Sequence, residues 1–322
     1  MDVRLHEAPL QVWTFGLGVS ANTGPRASVE HAYRRVFGGP YVARNKVQVG
    51  RLEQLWEGEV STNPNEKLYR SLLGGKVDRQ ESTSDIVLSQ QVRLGRAQDT
   101  QRTERLYFVQ AERGSRVVKD TGNKVDAVAL SVNAQGVWRQ LDSVVLPTEG
   151  FSLSAQGGLG RAHGTDAETG PFARLYGRFT GYLPIGYSWY GQLRVELGQV
   201  VKKQTVAVPD SQLFRAGGDE SVRGYAYRSL GPIVDGTVSG GTNLFTSSVE
   251  LARPLSARLP SVWGAVFVDA GRAANDWQDL KPAIGYGFGV RWRSPVGPLR
   301  VDWAWGNETH KGRLHFSVGV AF

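Results

Sequence analysis

The sequence predicts an all-β fold, a sixteen-stranded antiparallel transmembrane β-barrel. Three observations carry the prediction. Apolar and polar residues alternate with a period of two over most of the chain. Forty glycines, nine tryptophans and eleven tyrosines accompany a mean hydropathy of only −0.30. Connections range from short Pro-marked turns to longer polar segments, the asymmetry of an outer-membrane barrel.

The alternation is cleanest at the C-terminal end. From Arg313, residues Leu314, Phe316, Val318, Val320 and Phe322 share one face. Arg313, His315, Ser317, Gly319 and Ala321 share the other. The preceding strand sets Leu299, Val301, Trp303 and Trp305 against Arg300, Asp302 and Ala304. The strand before that sets Tyr286, Phe288, Val290 and Trp292 against glycines, Arg291 and Arg293. A soluble β-sandwich also alternates. Here, however, the polar face is rich in glycine and paired charges, while the apolar face carries aromatics near strand ends. A lipid-facing band with aromatic girdles has that pattern.

Read in order, strands are expected near 11–20, 26–36, 45–53, 54–62, 66–80, 84–97, 102–113 and 124–141 in the first half. The second half gives 150–162, 170–183, 187–200, 243–253, 261–271, 283–293, 298–306 and 313–322. The division near Glu53–Leu55 rests on the least signal. Short turns are expected at Asn63-Pro64-Asn65, Leu183-Pro184-Ile185-Gly186 and Ser294-Pro295-Val296-Gly297-Pro298. Longer connections are expected at 114–123, 162–170, 201–242 and 271–282. An even strand count puts both barrel ends at the periplasmic side. Segment 201–242 then lies outside, and long loops of that kind are usually functional or disordered. Residues 1–10 read as the end of a linker from periplasmic domains, and 11–322 as one barrel domain.

No stretch of about 18 uncharged apolar residues occurs, so no transmembrane helix is expected; a barrel strand needs only ~9–11 residues. The net charge is +8. The arginines are scattered along strands and not clustered with aromatics, so a charged lumen explains the charge better than nucleic-acid binding does. With no cysteine in the chain, disulfides and thiolate metal sites drop out. The five histidines, His6, His31, His163, His310 and His315, show no metal-binding spacing. Gly74-Gly75-Lys76 lacks the spacing of a phosphate loop, and Gly285, Gly287 and Gly289 fall within one strand. No cofactor, no metal and no enzymatic activity are expected.

Within the long loop, residues 214–225 read Phe-Arg-Ala-Gly-Gly-Asp-Glu-Ser-Val-Arg-Gly-Tyr. This resembles the loop-six signature of the BamA/TamA outer-membrane assembly superfamily. Phe267-Val268-Asp269-Ala270-Gly271 resembles the family's Phe-x-Asp-x-Gly strand motif. Ser248-Val249-Glu250-Leu251 resembles the strand with an inward glutamate. All three stand in the family's order. Gly16–Ser20 followed by Thr23–Arg26 resembles the first hairpin of TamA-like barrels, and Leu146–Phe151 resembles the family's periplasmic turn. The compact length points to the TamA-like branch. Members carry periplasmic domains before the barrel. The usual sorting signal has glycine where Ser317 stands.

The resemblance implies a long extracellular loop folded into the lumen. By strand parity Asp269 and Glu250 point inward. Arg223 within Val222-Arg223-Gly224-Tyr225 offers a planar fork able to hold a carboxylate through two hydrogen bonds. Read alone, Arg223 fits an exposed loop arginine better than a latch; the ordered motifs reverse that reading. Gly224 would let the loop approach the wall, and Gly217 and Gly218 would form its hinge. At the closing seam, Gly16 and Gly18 would face a last strand containing Ser317, Gly319 and the terminal Phe322. These glycines suit either relief of crowding or a weak lateral gate, and the resemblance favours the gate. It implies a monomeric insertase in the lipid bilayer of the bacterial outer membrane. Unfolded outer-membrane and autotransporter proteins would be its clients, and a TamB-type inner-membrane protein its partner. A two-partner secretion transporter and a passive porin are the alternatives.

Overall fold

The computed structural model describes residues 8–321 apart from Val145, Asp166, Pro295 and Val296. The first eleven strands are β1 (Gln11–Ser20), β2 (Gly24–Tyr33), β3 (Tyr41–Gly50), β4 (Glu53–Thr62), β5 (Tyr69–Glu81), β6 (Asp85–Asp99), β7 (Thr103–Val118), β8 (Lys124–Leu141), β9 (Gly150–Gly164), β10 (Gly170–Ile185) and β11 (Trp189–Lys202). A small hairpin of β12 (Ile233–Val234) and β13 (Thr237–Val238) lies inside the long loop. The wall resumes with β14 (Asn243–Ser256), β15 (Leu259–Ala274), β16 (Ala283–Ser294), β17 (Gly297–Gly306) and β18 (Lys311–Ala321).

Sixteen of these strands form one closed antiparallel barrel. Each pairs with its chain neighbour, β11 pairs with β14 across the loop, and β1 closes on β18. The number and order agree with the sequence reading. The start of β1 and the end of β18 share one rim, called here the terminal rim. The long loop leaves and re-enters at the opposite, loop rim.

Alternation along each strand becomes an inside and an outside. Val266 and Val268 are about half exposed on the outer face of β15, while the alternate residues Phe267 and Asp269 are buried. Leu94, Val132, Leu159 and Phe288 are similarly exposed outward. In water such a surface would drive aggregation; in a bilayer it is the face that lipid covers.

Boundaries depart from expectation mainly at the loop rim. β7 continues to Val118, β9 to Gly164 and β15 to Ala274, so the first residues of the expected loops 114–123, 162–170 and 271–282 belong to the wall. Beyond the lipid band an outward residue gains nothing from being apolar. The hydropathy alternation therefore fades before the backbone pairing ends. Near the start of the chain, β2 and β3 lie a few residues earlier than expected. Their register ends at Gly50, and Arg51-Leu52 makes the turn instead of the Glu53–Leu55 region. Short and long connections do not segregate between the rims. The asymmetry resides in the single loop 203–242. The expected turn at Ser294–Pro298 lies partly outside the described residues, as does Phe322.

That loop supplies the molecule's apolar core. Val206, Val208, Phe214, Ala216, Val222, Tyr225 and Leu230 enter the lumen and pack on inward residues of the wall, among them Phe172, Val200, Leu244 and Ala283. The barrel is plugged by its own chain.

Candidate functional site

The loop is braced before it reaches the wall. Phe214 and Gly241 exchange backbone hydrogen bonds at 2.8 Å, and Ala216 pairs with Leu230. Between these braces the chain makes a tight excursion. Gly217 and Gly218 have φ of +103° and +107°, a region open to glycine and strained for other residues. The Gly217 N–H donates to the Ser221 hydroxyl at 2.8 Å, and the Gly218 N–H to the Val222 carbonyl at 3.1 Å. Val222 is fully buried, and the turn delivers Arg223 to the far wall.

Arg223 meets that wall with every part of its guanidinium. Nε donates to Asp269 Oδ2 at 2.7 Å and Nη2 to Asp269 Oδ1 at 2.9 Å. This is the two-pronged geometry that favours arginine over lysine. Its own backbone N–H also donates to Asp269 Oδ2, at 3.0 Å. Nη1 reaches Glu250 Oε2 at 3.0 Å and Asp302 Oδ2 at 3.1 Å, and Nη2 reaches the Ser248 hydroxyl at 3.3 Å. The guanidinium carbon stands 3.3 Å from the centre of the Phe267 ring, in cation–π contact.

Three carboxylates around one arginine would leave excess negative charge. Arg291 balances it. Its Nε and Nη2 donate to Glu250 at 3.0 and 2.7 Å, and its Nη1 to Asp302. The cluster thus sets two arginines against three acids drawn from β14, β15 and β17. Buried charges of this kind are tolerated when each is paired and hydrogen-bonded.

The residue after Arg223 has to be glycine for two reasons. Gly224 has φ of +92°, and a Cβ there would lie 2.8 Å from the backbone of Trp305 and Gly306. The wall makes room in return: a Cβ on Gly285 would sit 1.9 Å from the Arg223 carbonyl oxygen. Tyr225 finishes the approach. Its hydroxyl donates to the Ile284 carbonyl and accepts the Glu308 N–H, each at 3.0 Å.

The same loop touches both sides of the barrel's seam. On the β18 side, His315 Nε2 accepts the Gly224 N–H at 2.9 Å, and its Nδ1 faces the Asp219 carboxylate. On the β1 side, Asn22 in the turn after β1 accepts the Asp219 N–H through Oδ1 at 3.1 Å. The seam itself pairs Gly16 with Ala321, Leu17 with Val320, Gly18 with Gly319, Val19 with Val318 and Ser20 with Ser317. Among the described residues these five pairs make the shortest register in the wall; β1 and β2 pair over ten. Towards the loop rim the mismatch is visible directly. The Ala21 N–H donates to the Phe316 carbonyl at 2.9 Å, and Lys311–His315 of β18 extend past the end of β1.

A second ionic clamp holds the first half of the loop. Arg215 Nη1 and Nη2 donate to Asp85 at 2.8 and 2.7 Å, and Nη2 also reaches Asp210 at 3.0 Å. Arg116 of β7 donates to Asp85 at 2.7 Å and to the Ser239 hydroxyl at 3.0 Å. Arg215 and Asp85 are almost fully buried.

The structure therefore brings Val222–Tyr225 together with Asp269 and Glu250, and places Gly217 and Gly218 at the turn before them. Gly16, Gly18, Ser317 and Gly319 sit at the seam. Sequence reasoning missed Asp302, Arg291, His315, Phe267 and the Arg215–Asp85 clamp. For Asp302, Arg291 and His315 a signal existed: each stands on the polar face of its strand. No comparable signal linked Arg215 to Asp85, which lies 130 residues away. Among the described residues no group of acids and histidines is arranged to hold a metal ion.

Residues 41–322 match the Omp85 superfamily domain. A 120-residue stretch is 37% identical to outer envelope protein 80 of Arabidopsis thaliana chloroplasts, covering 34% of this chain and 15% of that protein. A 197-residue stretch is 29% identical to the outer membrane protein assembly factor BamA of Nitratidesulfovibrio vulgaris, covering 56% of this chain and 24% of that one. The chain thus spans well under a third of the length of these relatives. Among solved structures, BamA from Haemophilus ducreyi lacking POTRA domains 1–3 superposes with a TM-score of 0.79 at 16% identity, over 98% of this chain and 71% of that one. CdiB from Acinetobacter baumannii superposes with a TM-score of 0.61 at 16% identity, over 96% and 60%. The chain belongs to the Omp85 superfamily and is an outer-membrane β-barrel.

Proposed function

We propose that this barrel helps other outer-membrane and autotransporter proteins fold into or cross the bilayer, using the β1–β18 seam as a lateral gate and the Arg223 loop as its latch. The short seam carries the reading. A strand edge that is only partly paired is a template for another strand, which adds by main-chain hydrogen bonds. In hydrocarbon every backbone polar group has to be satisfied, so a client strand gains by pairing there and by burying its apolar face in lipid. Neither step needs a nucleotide. The latch is a holding device: its charges are spent on one another, which suits fixing a conformation and not bond chemistry.

Within the superfamily we place the chain on the TamA-like branch, with a TamB-type inner-membrane partner. Support comes from the loop-six and first-hairpin motifs and from the brevity of the connections other than 203–242. Co-purification of a TamB-type protein with the membrane-embedded barrel tests this placement.

The second reading is two-partner secretion, favoured by the likeness to CdiB. It requires the client to pass through a lumen that the loop fills, so the loop must leave. Photo-cross-linkers separate the two. Phe15 on β1 and Leu314 on β18 face outward beside the seam, while Gln156 on β9 lies on the lumenal wall and accepts a hydrogen bond from Arg174. Client adducts at Phe15 and Leu314 but not at Gln156 are the expected result. Adducts at Gln156 alone would refute the lateral gate.

A further inference from the structure

Beneath the latch, towards the terminal rim, lies a cavity of 390 Å³, within the ~300–1,000 Å³ range of ligand pockets. The turn between β8 and β9 closes one side, held by Arg293 donating to the Leu146 carbonyl at 2.7 Å. Five arginines line the cavity, Arg178, Arg194, Arg291, Arg293 and Arg300, against only Glu220 and Glu250. Glu250 is already committed to Arg223 and Arg291.

Two features show unspent cationic capacity. Arg194 is more than nine-tenths buried, yet its Nε has no hydrogen-bond partner among the described residues. The Glu196 carboxylate stays 3.7 Å away, beyond hydrogen-bond reach. A buried donor left unmet is costly. Second, Arg300 stands directly opposite Arg291 across β16 and β17, a like-charge pairing that destabilises a sheet. Arg291 is neutralised by Glu250 and Asp302. Among the described residues no carboxylate lies within ion-pair distance of Arg300. Beside these cations stand Tyr182, Tyr190 and Trp263; the Tyr190 and Trp263 rings are 4.6 Å apart, and the Arg293 guanidinium lies 4.4 Å above Trp263.

We propose that this cavity is a binding site for an extended polypeptide segment that carries a carboxylate next to an aromatic side chain. The carboxylate would sit among Arg178, Arg194 and Arg300, and the ring would pack on Tyr190 and Trp263. A lone inorganic anion would use the arginines but leave the aromatic shelf bare.

Calorimetric titration of the purified barrel in detergent tests the site without reference to gating, so its result and the cross-linking result above stand or fall separately. The probes are a terminally blocked Glu-Tyr-Glu peptide, its Gln-Tyr-Gln counterpart and inorganic phosphate. The acidic peptide should bind at least about tenfold more tightly than the amide peptide, the equivalent of one lost charge-assisted contact. The Arg178→Gln/Arg300→Gln variant should lose that preference while loop 203–242 keeps its protease protection. Equal binding of the two peptides, an unchanged preference in the double variant, or phosphate binding as tightly as the acidic peptide would overturn the proposal.

Discussion

The backbone N–H of Gly224 donates to Nε2 of His315 across 2.9 Å, which ties the loop's apex to the last strand of the barrel. The accepting role requires a neutral imidazole with its proton on Nδ1, the atom that faces Asp219. Asp219 in turn is held through its N–H by Asn22. One short loop segment therefore spans the seam from the β1 turn to β18, where backbone pairing between the two strands has ended.

His315→Ala should uncouple loop and seam without unlatching Arg223. The expected loss is about 1 kcal/mol for the hydrogen bond to Gly224. Hydrogen exchange should speed up at the Gly224 amide and along β18, while the Arg223 amide stays protected by Asp269. Equal loss of protection at both amides would show that the two contacts form one unit.

Arg223→Ala removes the cation at the centre of three carboxylates. Deleting one partner of a buried ion pair typically costs ~3–5 kcal/mol, and Arg291 remains to offset part of it. Protease should then cut within 203–242 while the barrel stays folded, and client assembly should fall. Arg223→Lys should restore protection only in part, since an ammonium cannot make the two-pronged contact with Asp269. Unchanged loop protection in the alanine variant would leave the latch without support.

Arg215→Ala acts at the other end of the loop. It leaves Arg116 and the Ser82 hydroxyl as the side-chain donors to Asp85 among the described residues and frees residues 203–215 at the loop rim. Ion conductance in planar bilayers should rise modestly for this variant and markedly for Arg215→Ala/Arg223→Ala, because the lumen opens fully only when both clamps are gone. Equal conductance in the single and double variants would place all the closure on one clamp.

Gly18 and Gly319 oppose each other in the seam. The Gly18→Cys/Gly319→Cys variant should form a disulfide under oxidising conditions and block client assembly, with activity recovered on reduction. Full activity of the cross-linked protein would contradict a gate at this pair.

In the turn after β8 the Asp142 carboxylate accepts the Thr148 hydroxyl, and then the Thr148 and Glu149 N–H groups at 2.9 and 3.1 Å. These bonds, the Thr148 hydroxyl first, hold the Asp142 carboxyl well below the usual carboxylate range. The sign follows from linkage: the turn's added stability is complete above the unfolded value near ~3.9 and is lost as pH falls through the folded one. Acid should loosen the turn only below about pH 4, followed by proton exchange and chemical shift at Thr148. Asp142→Asn should loosen it at neutral pH and remove the acid dependence. A turn in the wild-type chain that opens between pH 5 and 7 would count against this assignment.

Much of the barrel was legible because lipid imposes one rule on every strand: Val266 and Val268 outward, Phe267 and Asp269 inward. The same parity revealed that Asp269 and Glu250 face the lumen. Register was not legible. Nothing in the local sequence says that Gly285 lies beneath the Arg223 carbonyl or that Asp302 reaches the same guanidinium, since both depend on how strands align across the closed sheet. The extensions of β7, β9 and β15 were hidden because wall beyond the bilayer has no hydropathy to alternate. The Arg215–Asp85 clamp was hidden because its halves share neither strand nor motif.

The absent Cβ of Gly285 beneath the Arg223 carbonyl, and that of Gly224 against Trp305 and Gly306, have an evolutionary consequence. Loop and wall are fitted like a casting and its mould, so neither can drift alone. A loop grafted from another barrel would arrive without the matching hollows, and a wall that gained one methyl at position 285 would expel its own plug. Change at these positions has to come in pairs, and chimaeras that exchange loop and facing strands together should succeed where exchange of the loop alone fails.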